Sequence, residues 1–150
     1  MISQEDIFAI ASKKEFEKIT LKVFRFQYEN NKVYQSFCTH LGKSPSNVKQ
    51  ISDIPFLPIQ FFKSDKIVST THEPKVIFTS SGTTGMITSK HFVTDVSLYE
   101  NSYNKAFAQF YGNIKDYCVL ALLPSYLERD GSSLIYMVED LIKSSNHKDS

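Results

Sequence analysis

Seven consecutive residues, Thr79-Ser80-Ser81-Gly82-Thr83-Thr84-Gly85, are all Thr, Ser or Gly, and they separate two short segments, Lys75 to Phe78 and Lys90 to Val93. The flanking segments read as strands and the middle as a turn. A connection this short has no room for a helical crossover, so the two strands are expected to pair antiparallel. Two roles suit the loop. Glycines admit positive φ and close approach of backbone to a ligand, successive N–H groups converge on an anion, and hydroxyls add donors without charge. That is a polyphosphate cradle, with Lys90 as its cation. The same composition also makes an ordinary Ser/Thr-rich hairpin turn that binds nothing. It is not a Walker A loop, because no Lys follows Gly85 and the exit reads as strand rather than helix.

Around this loop the chain reads as α/β: a helical N-terminal third, then a mixed sheet with packed helices. Ser3 and Asp6 form a capping-box pattern opening a helix over Glu5 to Ala11. Phe16, Ile19, Val23, Phe26, Val33, Tyr34, Phe37 and Leu41 recur at helical spacing, interrupted at Asn30-Asn31, which predicts two helices, the second ended by Gly42. Pro45, Pro55 and Pro58 forbid a regular helix through Ser44 to Ser64, and Ile54 to Ile59 is expected to lie extended against a core. Lys66 to Ser69 is a further strand candidate. Asp95 to Tyr111 is an amphipathic helix ended by Gly112, with Val96, Tyr99, Tyr103, Ala106, Phe107 and Phe110 on a core face. Tyr117 to Leu123 predicts a strand buried on both faces, with Cys118 buried and inert within it. Pro124 to Asp130 is a loop, and Ser132 to Lys143 a helix with Leu134, Ile135, Val138, Leu141 and Ile142 inward. The divisions are 1–43 helical, 44–64 proline-rich connector, 65–143 α/β, and a polar 144–150 tail expected to be disordered.

With 17 Lys+Arg against 16 Asp+Glu, the net charge is +1. That removes the electrostatic case for nucleic-acid binding. No apolar run reaches membrane-spanning length, and the N-terminus lacks a signal-peptide pattern, so a cytoplasmic protein is expected. Cys38 and Cys118 are too few for a disulfide scaffold and read as free thiols. His40, His72 and His147 have no metal-ligand spacing, and Cys38 with His40 cannot assemble a zinc site.

Thr79 to Gly85 resembles the phosphate-binding loop of the adenylate-forming (acyl-activating) superfamily, whose signature is a Ser-Gly-Thr-Thr-Gly core between strands. Asp53-Ile54-Pro55-Phe56-Leu57-Pro58 with Phe62-Lys63, and Leu123 to Arg129 with Gly131-Ser132-Ser133-Leu134, are similar to the LuxE-type acyl-protein synthetases and the related phenylacetate-CoA ligases. The resemblance runs from about Ile51 to Lys143. It implies ATP with Mg2+ and a carboxylic acid substrate, a long-chain fatty acid in the LuxE branch. The acid forms an acyl-adenylate with loss of pyrophosphate, and the acyl group passes to a protein nucleophile. Thr79, Ser80, Ser81, Gly82, Thr83, Thr84 and Gly85 would hold the β- and γ-phosphates, with Lys90 as the catalytic cation. The superfamily's basic position falls on Thr88, two residues before Lys90.

Ser125 to Ser133 leaves a strand and enters a helix, where open α/β sheets bind ligands. Glu128 and Arg129 either line a substrate pocket there or form a solvated charged turn. His91 either faces the phosphates or is an ordinary strand histidine. Because adenylate-forming enzymes are several hundred residues long, the expectation is an N-terminal portion of a longer enzyme. The alternative is a non-catalytic nucleotide- or phosphate-binding remnant that works with a complementing chain.

Overall fold

The computed structural model describes residues 2–80, 87–122 and 131–150. The chain is α/β and forms two units, Met1–Glu73 and Pro74–Ser150.

The first unit is built from locally encoded helices. Helix α1 (Gln4–Phe8) opens on the expected capping box: the Asp6 N–H donates to Ser3 Oγ, and the Ser3 N–H donates to Asp6 Oδ2. It stops at Phe8, short of Ala11. Helix α2 (Lys13–Asn30) starts the same way, with the Glu15 N–H donating to Ser12 Oγ at 3.2 Å. The Glu15 carboxylate accepts the Ala11 N–H and the Ser12 hydroxyl, which hold its pKa below the usual range. Helix α3 (Lys32–His40) follows after Asn31, whose backbone N–H closes α2 on the Gln27 carbonyl and whose side chain opens α3. Its Nδ2 donates to Gln27 Oε1 and its Oδ1 accepts the Tyr34 N–H. Gly42, at φ +65°, ends α3, and the Lys43 N–H reaches back to the Cys38 carbonyl at 2.9 Å.

Phe24, Tyr34, Cys38, Val48 and Ile54 form the core of this unit, with Leu21, Tyr28, Phe37 and Leu57 packed around it. Ile54 and Leu57 bring the proline-rich stretch against the core, but Phe56 and Ile59 are 76% and 66% exposed, so only part of 54–59 lies there as expected. A 3-10 turn, Ile51–Asp53, leads into it, and the Tyr34 hydroxyl pins it by donating to the Pro55 carbonyl at 2.7 Å. A short helix, α4 (Phe61–Ser64), seats Phe61 edge-on against Phe37. Residues 66–69 are not a strand. Among the described residues no neighbouring strand is there to complete a ladder, and Ser69 instead donates its hydroxyl to Gln27 Oε1.

The second unit holds strands β1 (Val76–Thr79) and β2 (Lys90–Val93), which pair antiparallel as expected. Among the described residues the sheet has these two strands, so it is antiparallel rather than mixed. Helix α5 (Ser97–Tyr111) and helix α6 (Ser133–Ser145) pack beside it. Phe78 of β1 sits between Tyr99 and Tyr136, with ring centroids 5.5 and 5.6 Å away. The apolar stripe of α5 is narrower than its spacing suggests: Tyr103 is buried, whereas Ala106 is exposed and Phe110 is 76% exposed. On α6, Leu141 is buried but Leu134 is exposed.

Two further expectations are overturned. Residues 117–122 form no strand; Leu120 and Leu122 are 79% and 100% exposed, and Cys118 is exposed rather than buried. An apolar run becomes a buried strand only where other strands satisfy its backbone and helices cover its faces. The 144–150 tail is ordered: α6 continues to Ser145, and Ser150 Oγ accepts the Val119 N–H at 2.9 Å and the Ser145 hydroxyl. Polarity alone predicts disorder, but these hydrogen bonds give the tail a place to dock. Residues 123–130, which include the expected loop, lie outside the described residues.

Candidate functional site

The antiparallel register decides which side chains stand together at the mouth of the Ser/Thr/Gly loop. Thr79 is opposite Lys90, and Phe78 is opposite His91. Directly opposed residues share a sheet face, and successive residues alternate faces. Lys90 therefore shares the face of Thr79. His91 shares the face of Phe78, the one that packs on Tyr99 and Tyr136. Both Lys90 and His91 are exposed.

The hairpin continues one step past the strands. The Ser80 N–H donates to the Ser89 carbonyl at 3.1 Å, and the Ser89 N–H donates to Ser80 Oγ at 3.0 Å. Thr79 is also held from outside the hairpin: its N–H donates to the Gly131 carbonyl at 2.8 Å. Gly131 lies within the second candidate segment, Ser125 to Ser133, so the two sequence-predicted site segments meet at Thr79. Ser81, Gly82, Thr83, Thr84, Gly85, Glu128 and Arg129 lie outside the described residues.

A hydroxyl (Thr79) and an ammonium (Lys90) stand on one face, and both suit an anion. Among the described residues no group of three or more His, Cys, Asp or Glu stands together as a metal cage. A magnesium ion bound through phosphate oxygens keeps several waters as ligands and does not need such a cage. Cys38 lies in the core of the first unit, where burial pushes its thiol pKa up.

Behind the sheet is a network that hydrophobic periodicity did not reveal. The Tyr103 hydroxyl donates to Asp140 Oδ2 at 2.6 Å, and the Tyr136 hydroxyl donates to Glu100 Oε1 at 2.6 Å. The Tyr99 hydroxyl donates to the Ser133 carbonyl at 2.9 Å. Burial and then Asp140 push the Tyr103 phenol far above its ordinary value; the Glu100 hydrogen bond and then burial raise Tyr136 to about 12. The signal in the sequence was the choice of Tyr rather than Phe at half-buried helical positions, since such a hydroxyl needs a partner.

A family model described as acyl-protein synthetase, LuxE, matches residues 4–110, which include α1 to α4, both strands and nearly all of α5. A long-chain-fatty-acid–luciferin-component ligase of Photorhabdus luminescens is 35% identical over 71 residues, 47% of this chain and 60% of that relative. The chain thus covers less than two thirds of that relative's length. No solved structure matches the chain significantly. The matched span carries the hairpin, the glycine loop and Lys90, and the chain belongs to the LuxE acyl-protein synthetase family.

Proposed function

We propose that this chain supplies the phosphate-binding part of an ATP-dependent enzyme that activates a long-chain fatty acid and passes the acyl group to a protein. The observation that carries the reading is the pairing of Thr79 with Lys90 at the mouth of the Ser/Thr/Gly segment, within the span matched by the family. ATP, with Mg2+, is consumed as a substrate. A carboxylate oxygen attacks the α-phosphorus, the new O–P bond forms as the bond to pyrophosphate breaks, and an acyl-adenylate results. A nucleophile of an acceptor protein then takes the acyl group and AMP leaves.

In this scheme Thr79, Ser80 and the residues through Gly85 donate hydrogen bonds to the β- and γ-phosphates, and Lys90 offsets the charge that grows on pyrophosphate. One preorganised interaction of this kind contributes about 3 kcal/mol to the transition state. Glu128 and Arg129 are the proposed contacts to the carboxylate substrate. His91 has no phosphate role here, because strand alternation turns it away from Lys90. No described helix is long and apolar enough to cross a membrane. The compartment we propose is the cytoplasm, where ATP is supplied.

Fatty-acid-dependent exchange of label between pyrophosphate and ATP, measured on the whole protein, tests the reading. Wild type is expected to exchange, Lys90→Ala to slow exchange by roughly 100-fold, and Gly82→Val with Gly85→Val to abolish ATP binding. ATP binding without exchange by wild type overturns the enzyme. Equal ATP binding by wild type and the double glycine variant overturns the phosphate loop.

A further inference from the structure

Three observations converge on Gly131. Its carbonyl accepts the Thr79 N–H at 2.8 Å. Its φ is +87°. A Cβ built on it would lie 3.0 Å from the Ile77 carbonyl oxygen and 3.1 Å from Thr79 Oγ1. The closer contact is with strand backbone, which cannot swing aside as a side-chain tip does. Gly112 supplies the contrast, with φ +84° but nothing within 4 Å of a built Cβ. Both positions favour glycine conformationally, but only Gly131 also needs the missing side chain for packing.

Gly131 is itself anchored. Ser132 caps α6 by accepting the Ile135 N–H at 3.4 Å, and the Ser133 carbonyl takes the Tyr99 hydroxyl. On the opposite edge, Ser89 holds Ser80. The backbone of Thr79 and Ser80 is thus gripped from two sides as it leaves β1.

We propose that Gly131 is a positioning residue for phosphate binding: its carbonyl and its lack of a side chain fix the point and direction at which the backbone departs from β1. This rests on the phosphate-loop reading above. Donors contribute most when they are already aimed, and a misplacement of about 1 Å costs on the order of 100-fold.

The test compares wild type, Gly131→Ala and Gly112→Ala by titration with magnesium pyrophosphate and by amide hydrogen exchange. Both substitutions put an L side chain at positive φ, so both lower the melting temperature. Gly131→Ala is expected to weaken pyrophosphate binding by roughly 10- to 100-fold and to speed exchange of the Thr79 amide relative to Val76–Phe78. Gly112→Ala is expected to do neither. Equal weakening by both variants, or no weakening by Gly131→Ala, overturns the positioning role and leaves the phosphate loop standing. Absence of binding by wild type removes both. Should Gly131→Ala fail to fold, wild type decides. Linkage is reciprocal, so saturating pyrophosphate must slow Thr79 exchange more than that of Val76–Phe78. An unchanged relative rate overturns the proposal.

Discussion

The first unit closes around apolar side chains, whereas the second closes around phenols. In residues 1–73, Phe24 is 3% exposed and Cys38 0%, and both belong to one contiguous core. In residues 74–150, the contacts between α5 and α6 run through hydroxyl–carboxylate pairs at Tyr103 and Tyr136, while Phe110, Leu120 and Leu122 face outward. The difference teaches where rigidity and function divide. Apolar burial is non-directional and tolerates small shifts, but a buried hydroxyl pair fixes geometry and is costly to break. The unit that holds the candidate site uses the directional kind.

The hardest way to break the comparison is Phe24→Ala. If the first unit depends on its core, this substitution lowers its stability by about 4 kcal/mol. Denaturant dependence of hydrogen exchange in α2 and α3 would show it, and a loss below about 1 kcal/mol would contradict the core assignment.

Next comes Tyr103→Phe, which removes one oxygen and leaves the Asp140 carboxylate short of a donor. A cost of about 2 kcal/mol is expected in the amides of α5 and α6. A neutral result would mean that ring packing, not the hydroxyl, joins these helices. Alkaline titration sharpens the same point. The Glu100 hydrogen bond, with burial, pushes the folded Tyr136 phenol up to about 12, above its ordinary 10.0. A raised folded value means stabilisation that is full below the unfolded pKa and is lost as pH rises through the folded one. Contact between α5 and α6 should therefore weaken between about pH 10 and 12, read from tyrosinate absorbance beside circular dichroism, and Tyr136→Phe should blunt this particular loss.

The smallest expected effect is Leu122→Ser. A fully exposed leucine contributes within about 0.5 kcal/mol, so the melting temperature should hardly move. A drop of several degrees would show that residues 117–122 pack in solution.

Several features were legible locally. The capping box at Ser3 and Asp6, the break at Asn31, the left-handed Gly42 and the antiparallel hairpin each follow from hydrogen-bonding and φ preferences within a few residues. The candidate loop was legible by composition, but its side-chain arrangement was not. Lys90 and His91 are adjacent in sequence, and only the pairing of Thr79 with Lys90 tells which one shares the face of Thr79.

The chain by itself thus determined its longer helices and its hairpin, and it suggested the polyphosphate chemistry proposed for its loop, whereas the short α4 in the proline-rich stretch was not legible. Tertiary structure decided the rest. An apolar run at 117–122 stays without a strand because a strand needs a partner from elsewhere in the chain. The tail is held because Val119 and Ser145 happen to reach Ser150. Gly131 acquires its meaning only when β1 lies against it. Local preferences act over a few bonds, whereas pairing, burial and close approach depend on residues that only folding brings together.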